Sequence, residues 1–209
     1  MKTTRSILDA VLRLLGFGIA TALLLGGTYS FTKDKISTQQ ELAAQRLYSQ
    51  LIDTNSYTNN LNETAIDTPA FLATVTHSDA PVLLATNHDE LAAVLIPTDA
   101  LDGYSGRIKL LIAIDKHGNL LAVRVLAHRE TPGLGDAIEV SKSDWILGFN
   151  NLPYSLEDRA GWDVAKYGGD FDQFTGATVT PRAVVRQVER TLNAIAEEST
   201  WLKELQTHE

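Results

Sequence analysis

Cysteine is absent from this chain of 209 residues, and methionine occurs once. The chain itself can therefore form no disulfide, ligate no iron–sulfur cluster and use no thiolate nucleophile. Its five histidines show no metal-ligand spacing, so we expect no metal site. No Ser-His-Asp pattern and no Walker-type phosphate loop is evident, so the sequence predicts no catalytic residue of its own.

Positive charge is also scarce. The 18 Lys and Arg residues face 26 Asp and Glu residues, which gives a formal net charge of -8. Because no basic stripe is evident either, nucleic acid is not expected as a partner. With 44% hydrophobic and 21% charged residues, the composition is that of a folded protein, long enough for one domain with a core and an appendage.

The one long uncharged stretch is residues 14–32, which lies between Arg13 and Lys33. As a helix its 19 residues span roughly 28 Å, close to the thickness of a bilayer core. We interpret it as an uncleaved transmembrane helix. A cleaved signal peptide is the alternative, although no Ala-x-Ala-like site follows it. A buried soluble helix is disfavoured because the stretch is apolar on all faces.

The charges that flank this stretch predict its orientation. Lys2, Arg5 and Arg13 precede it and only Asp9 opposes them, so residues 1–13 are expected in the cytoplasm and the rest of the chain across the membrane. We interpret residues 33–68 as a stalk helix and linker. Residues 69–209 are then one α+β domain built on a twisted antiparallel sheet.

Alternating apolar residues give the strand predictions for this domain. Short runs at 71–76, 82–85 and 91–96 favour strands. Residues 107–115 and 120–127 predict a hairpin with its turn at 116–119. Period-two spacing places four residues of the first of these strands on one face, namely Ile108, Leu110, Ile112 and Ile114.

The chain is organised around a short stretch that turns sharply and enters a helix. Gly176 permits a backbone conformation closed to most residues, and Pro181 suits the first turn of a helix with Thr180 as its N-cap. A stripe at helical spacing predicts this helix over about 181–205: Val184, Val185, Val188, Leu192 and Ile195. Thr178 then stands just outside a helix N-terminus, where a phosphate is favoured.

The full string of this stretch, Asp-x-x-Thr-Gly-Ala-Thr at residues 172–178, resembles a known motif. It is similar to the flavinylation motif of the FMN-binding domains of Rnf-type and Na+-pumping quinone-reductase-type complexes. The resemblance is greatest to the G subunits of Rnf (Rsx) electron-transport complexes. It implies that FMN is joined through its phosphate, as a phosphodiester, to Thr178. It also implies that Thr175, Gly176 and Ala177 lie beside the cofactor.

A second string, Glu-Thr-Pro-Gly-Leu-Gly at residues 130–135, follows a predicted strand. Taken alone, two glycines and a proline indicate only a tight loop. The longer string resembles the second signature of the same family, which lines the isoalloxazine ring. The resemblance thus adds five residues to the expected FMN site: Glu130, Thr131, Gly133, Leu134 and Gly135.

The resemblance also implies a function. The chain would be an electron-transfer component of a complex in the bacterial inner membrane, with a periplasmic domain whose FMN is attached by a separate flavin transferase. It would be a redox carrier and not a stand-alone enzyme. One rival is a membrane-anchored flavin reductase with noncovalent FMN, although no Gly-x-Gly-x-x-Gly string follows a strand. The other is an assembly module without flavin.

Overall fold

The structure is a computed structural model that describes residues 2–88, 90–157 and 159–207, the side chains of residues 2–12, 30–38, 40, 41 and 199 lying outside that description. The chain divides into two compact units, Met1–Arg46 and Leu47–Glu209. The second unit thus begins at Leu47, well before residue 69, where the sequence predicts the start of the cofactor-binding domain. That domain boundary stays a prediction.

Helix α1, Lys2–Leu51, forms the first unit as far as Arg46, and its last residues, from Leu47 onward, belong to the second unit. Between residues 13 and 29 the helix exposes eight large apolar side chains: Leu14, Leu15, Phe17, Ile19, Leu23, Leu24, Leu25 and Tyr29. Over the ranges that the structure describes, no helix is long and apolar enough to span a membrane. The side chains of residues 30–32, at the end of the predicted span, lie outside the description.

The second unit is built on a five-stranded sheet that confirms the predicted antiparallel α+β architecture. Its strands are β1 (Ala65–Ile66), β2 (Val82–Asn87), β3 (Glu90–Ala100), β4 (Ile108–Asp115) and β5 (Leu120–Ala127). The strands pair in chain order and every pair is antiparallel. Each connection can therefore be short, because each strand pairs with its neighbour in sequence.

The predicted hairpin is the joint between β4 and β5. Its turn has Gly118 at φ +87°, and Asp115 closes it by accepting hydrogen bonds from the backbone N–H groups of His117 (2.8 Å) and Asn119 (2.9 Å). The predicted apolar face of β4 is fully buried and belongs to the larger core. Leu111 and Ala113, which alternate with it, are buried in a smaller core on the opposite face.

These two cores lie on the two sides of the sheet. Helix α3, Val179–Glu197, covers the larger core with all five residues of its predicted stripe buried. The end of α1 and the segment after it cover the smaller core through Leu51, Ile52 and Leu61. Because both faces of β4 are covered, its sequence is almost continuously apolar and does not alternate cleanly with polar residues.

The prediction of a strand at residues 71–76 was wrong. Residues 71–76, predicted as a strand, lie in helix α2, Ala70–Thr76, which follows Pro69 and ends at His77 with φ 52°. Its buried residues Leu72 and Thr76 are four apart, one helical turn, so tertiary packing outweighed the β-rich composition.

The helix predicted over 181–205 is divided in two. α3 ends at Glu197, Glu198 leaves the helical conformation with φ -107° and ψ 47°, and α4 covers Ser199–Thr207. The break lets Trp201 and Leu202 join the larger core, where the Trp201 ring meets the Phe71 ring edge-on at 5.5 Å.

Candidate functional site

The stretch singled out in the sequence forms a tight turn directly before helix α3. The backbone N–H of Ala177 donates to the carbonyl of Phe174 at 3.1 Å, so Thr175 and Gly176 are the two central residues. Gly176 has φ +82°, the conformation that the third position of a type II turn requires and that glycine adopts without strain. The turn delivers the chain to the helix N-terminus.

Thr178 occupies the cap position of α3, with φ -67° and ψ -30°, and its hydroxyl makes no capping hydrogen bond. The side chain is partly exposed. The first backbone N–H groups of α3 and the positive end of its dipole lie at this residue. Thr178 therefore presents a hydroxyl that the helix does not use, at a position that favours a bound anion.

The prediction that Thr180 caps the helix was wrong. α3 begins earlier, at Val179, so Thr180 lies inside the first turn and is only 1% exposed. Pro181 is still within the first turn, where its missing N–H has no intrahelical partner to lose. The Thr180 hydroxyl instead donates to the carboxylate of Glu130, with an Oγ1 to Oε2 distance of 2.5 Å.

The carboxylate of Glu130 joins three segments of the chain. It is 4% exposed, and its second oxygen, Oε1, accepts a hydrogen bond of 2.9 Å from the backbone N–H of Ser105. Gly103 and Gly135 allow this approach, since a Cβ on either would lie 2.9 Å from a Glu130 carboxylate oxygen. Glu130 thus holds the loop 103–106, its own loop and the start of α3 together, and its carboxylate is directed inward.

The loop 130–135 is brought against the turn before α3. The backbone N–H groups of Leu134 and Gly135 each donate to the Thr131 carbonyl at 3.1 Å. Gly133 has φ +78°, with no atom within 4 Å of an added Cβ, so its backbone conformation alone requires glycine. Leu134 is 45% exposed, and its Cδ2 lies 3.8 Å from where a Cβ on Gly176 would stand.

A face of three arginines, which the sequence analysis missed, runs from Thr178 along α3. Arg182, Arg186 and Arg190 are spaced by four residues and line a cavity of about 420 Å³ together with Thr178 and Tyr167. The spacing was visible in the sequence as Arg-x-x-x-Arg-x-x-x-Arg. The acidic composition of the whole chain concealed this local cluster.

Asp163 holds the first two arginines of this face. Arg182 donates to it from Nε at 2.9 Å and from Nη2 at 3.0 Å, and the guanidinium stacks on the Tyr167 ring 3.8 Å from its centroid. Nη1 of Arg186 lies 3.6 Å from Oδ2 of the same carboxylate. The hydrogen bond from Arg182, with smaller contributions from the Val164 N–H and both arginine charges, lowers the pKa of Asp163 against the opposing effect of burial.

A second cavity, of about 660 Å³, lies beside the turn and is rich in aromatic residues. Trp145 lines it, donates from Nε1 to the Asp172 carbonyl at 2.8 Å, and meets the Phe174 ring edge-on at 5.2 Å. Phe171 also lines this cavity. Two cavities of different chemistry thus flank residues 172–178, one lined by arginines and the other by aromatic and acidic residues.

These residues fit the phosphate of a flavin. A hydroxyl without a capping bond stands at a helix N-terminus, and the two residues directly before it, Gly176 and Ala177, have no side chain larger than a methyl group. Within the described ranges, by contrast, no group of three or more His, Asp or Glu side chains could hold a metal ion. The prediction of no metal site stays a prediction.

Comparison with known proteins assigns the class. A family model described as an FMN-binding domain matches residues 103–193, from the Gly103 loop almost to the end of α3. A second, described as an RnfG N-terminal region, matches residues 1–51. The first range contains the loop at Glu130, the turn and Thr178, so the chain is an FMN-binding-domain protein.

Individual relatives identify the family. The chain is 42% identical over 198 residues to the G subunit of the ion-translocating oxidoreductase complex of Shewanella amazonensis, covering 94% of this chain and 92% of that protein. The corresponding protein of Pseudomonas aeruginosa is 43% identical over 192 residues, with coverages of 91% and 89%. The chain therefore belongs to the family of G subunits of ion-translocating oxidoreductase complexes.

Among solved structures, the crystal structure of Shewanella oneidensis NqrC matches with a TM-score of 0.46 and 22% sequence identity. The match covers 73% of this chain and 74% of that one.

The bond between Thr180 and Glu130 yields a stability prediction. Thr180→Val keeps the shape of the side chain but leaves a buried carboxylate with one donor fewer, so we expect a loss of about 1–3 kcal/mol in the free energy of unfolding. Thr180→Ser retains the hydroxyl and should lose distinctly less. Chemical denaturation of the three proteins measures the difference. Equal stability of the wild type and Thr180→Val would contradict the role given to this bond.

Asp163 yields a prediction of pH dependence. Its pKa is lowered in the folded state, so its stabilising effect is present above the unfolded value, near 3.9, and is lost as the pH falls through the folded value. Asp163→Asn should cost about 1–2 kcal/mol near neutral pH, because Arg182 is partly exposed and screened by solvent. The difference from the wild type should shrink below about pH 4.

Denaturation curves at several pH values measure this effect. Asp102→Asn is the matched control, since Asp102 pairs with Arg190 at the surface and should contribute well under ~1 kcal/mol. A constant difference between Asp163→Asn and the wild type at every pH would show that the charge of Asp163 is not what stabilises the fold.

Proposed function

We propose that the chain carries FMN bound covalently to Thr178 through a phosphodiester and relays electrons within a membrane-bound, ion-translocating oxidoreductase complex. The observation that carries this proposal is the Thr178 hydroxyl, which stands without a capping bond at the start of α3, directly after the Thr-Gly-Ala turn. Membership of the family of G subunits supports the assignment to such a complex. The other proteins of that complex are then the electron-transfer partners.

The residues of the chain place the cofactor and hold it. Gly176 and Ala177 keep side-chain bulk away from the phosphate, and the exposed Leu134 offers an apolar contact to the ring from the loop 130–135. Glu130 acts as a positioning residue, because its carboxylate fixes that loop to the start of α3. FMN itself supplies the electron-transfer chemistry, while the protein sets the surroundings that tune it.

Attachment requires a second protein in this proposal. A flavin transferase would transfer the FMN part of FAD to Thr178. The Thr178 oxygen forms a bond to the FMN phosphorus, the phosphoanhydride bond of FAD breaks, and AMP and the hydroxyl proton are released. A phosphate tether does not alter the ring, so the surroundings must tune the reduction potential. The bond also prevents loss of the cofactor outside the cytoplasm. The chain is accordingly a redox carrier and not a stand-alone enzyme.

The proposed location is the bacterial inner membrane, with residues 14–32 as a single span and the domain in the periplasm. The uncharged sequence and the exposed apolar side chains of this part of α1 support a span. The hydroxyls of Thr21 and Thr28 donate to the carbonyls of Phe17 and Leu24 at 2.9 Å, as polar groups in lipid require. Lys2, Arg5 and Arg13 support a cytoplasmic N-terminus.

The two rival functions differ from this proposal in the fate of the flavin. A membrane-anchored flavin reductase with noncovalent FMN would lose the flavin on denaturation, and an assembly module would never carry it. Flavin fluorescence that stays with the chain on a denaturing gel excludes both rivals.

The attachment residue gives the central prediction. After coexpression with a flavin transferase, the wild-type chain should be heavier by one FMN minus water, roughly 440 Da, when measured by intact mass spectrometry. Thr178→Ala lacks the oxygen that forms the phosphodiester, so it should carry no adduct and show no flavin fluorescence on a denaturing gel. It should remain folded, because the Thr178 side chain makes no capping bond.

Thr175→Ala is the matched control for this experiment. Thr175 carries an exposed hydroxyl in the same turn and should not be the attachment point, so the adduct should persist. The hydroxyl of Thr180 is buried against Glu130 and is therefore a poor competitor. A full adduct on Thr178→Ala would show that another residue carries the flavin.

Membrane topology gives a further prediction. An alkaline phosphatase that is active only after export, fused to the C-terminus, should be active because residues 14–32 carry the domain across the membrane. Deletion of residues 14–32 should silence it. An inactive phosphatase together with an active cytoplasmic reporter at the same place would reverse the proposed orientation.

A further inference from the structure

The arginine face of α3 has no function in the proposal above. Its three guanidinium groups line the same cavity as Thr178, although the chain as a whole carries a net charge of -8. We propose that this cavity is an anion site that binds the flavin phosphate at Thr178, and that Arg186 is the residue that contacts it. This inference rests on the proposed attachment of FMN to Thr178.

Arg186 lines the same cavity as Thr178, about two helical turns further along α3. Eight residues of helix separate the two and span roughly 12 Å, but helical side chains lean towards the N-terminus. Arg182 and Arg186 both approach Oδ2 of Asp163, at 3.0 and 3.6 Å. The Arg186 guanidinium therefore lies beside that of Arg182 at Asp163, in the cavity that Thr178 also lines.

The two arginines differ in how fully their donors are used. Arg182 is fixed by two charge-assisted hydrogen bonds to Asp163 and by its stacking on Tyr167. Arg186 approaches Asp163 only at 3.6 Å, longer than a hydrogen bond, and its side chain is 46% exposed. The donors of Arg182 are therefore occupied by Asp163, whereas the planar donor group of Arg186 is less fully used and is suited to a phosphate oxygen.

The charge balance of the cavity matches the proposed ligand. Three arginines are opposed by two carboxylates, since Asp163 bridges the first two and Asp102 lies 3.2 Å from Arg190. One positive charge is left over. A phosphodiester carries one negative charge, so its binding would neutralise the cluster while both carboxylates keep their arginine partners.

The test measures coupling between Arg186 and the attached flavin. Full-length protein in a zwitterionic detergent is prepared with and without flavin, the adduct is verified by mass, and the melting temperature of each form is measured. Attachment should raise the melting temperature of both proteins. The rise should be larger in the wild type than in Arg186→Gln, and this excess should be roughly 2–4 °C at low salt. The excess should decline at high salt, because it is electrostatic.

Two further variants make the result specific. Lys109→Gln removes an exposed cation on β4 outside the cavity and should behave as the wild type. Arg186→Lys keeps the charge but loses the planar donor group, so it should restore only part of the excess. An equal rise in the wild type and Arg186→Gln would overturn the anion site while leaving the attachment intact. Absence of the adduct from the wild type would instead refute the proposed function.

A second measurement applies if Arg186→Gln is not flavinylated at all. The flavin-free full-length chain is titrated with FMN and with riboflavin, which lacks the phosphate, and binding is followed by fluorescence quenching. The wild type should bind FMN at least severalfold more tightly than riboflavin, and Arg186→Gln should lose this preference. Equal affinity of the wild type for the two flavins, or no binding of FMN at millimolar concentration, would refute the site.

Discussion

The buried carboxylate of Glu130 is the interaction on which the candidate site depends. A carboxylate in a protein interior is costly unless donors surround it, and here the donors come from Ser105 and Thr180, on two other segments. These donors are present only when the loop 103–106, the loop 130–135 and the start of α3 meet. The requirement to satisfy one charge therefore fixes where the turn at Gly176 and the hydroxyl of Thr178 stand relative to the loop carrying Leu134.

The sheet makes this convergence possible because it provides the apolar face on which α3 packs. β4 is buried on both faces and pairs with β3 and β5 in an antiparallel sheet whose strands follow chain order. α3 packs its valine-rich face on that sheet through Val184 and Val188, which leaves the arginine face turned outward beside the cap residue. α3 thus connects the core to the site. The orientation of the helix about its own axis that buries the apolar stripe also places Arg182 and Arg186 at the cavity that Thr178 lines.

The sequence allowed some of this to be predicted, for physical reasons. The β4–β5 hairpin and the buried stripe of α3 follow from periodicity, which is a local property, and the confirmed family rests on a contiguous string at residues 172–178. The helix α2 and the role of Thr180 were not predictable in this way, because they depend on contacts with distant residues. Nothing near Thr180 in sequence indicates that its hydroxyl would meet Glu130, 50 residues away. The arginine face was visible in the four-residue spacing of Arg182, Arg186 and Arg190. The net charge of the whole chain, which is -8, gives no sign of this local positive cluster.

Electrostatics gives a physical reason for the covalent bond that we propose between this acidic chain and its flavin. A net charge of -8 repels FMN and FAD, which are anions, at distances up to about a Debye length of ~8 Å. The positive cluster at Arg186 acts only at shorter range, since Asp163 and Asp102 neutralise most of it. We therefore expect free flavin to be neither attracted from a distance nor retained strongly after it dissociates. The bond to Thr178 that we propose would remove the need for such retention, and the local charge would then have only to orient the attached phosphate.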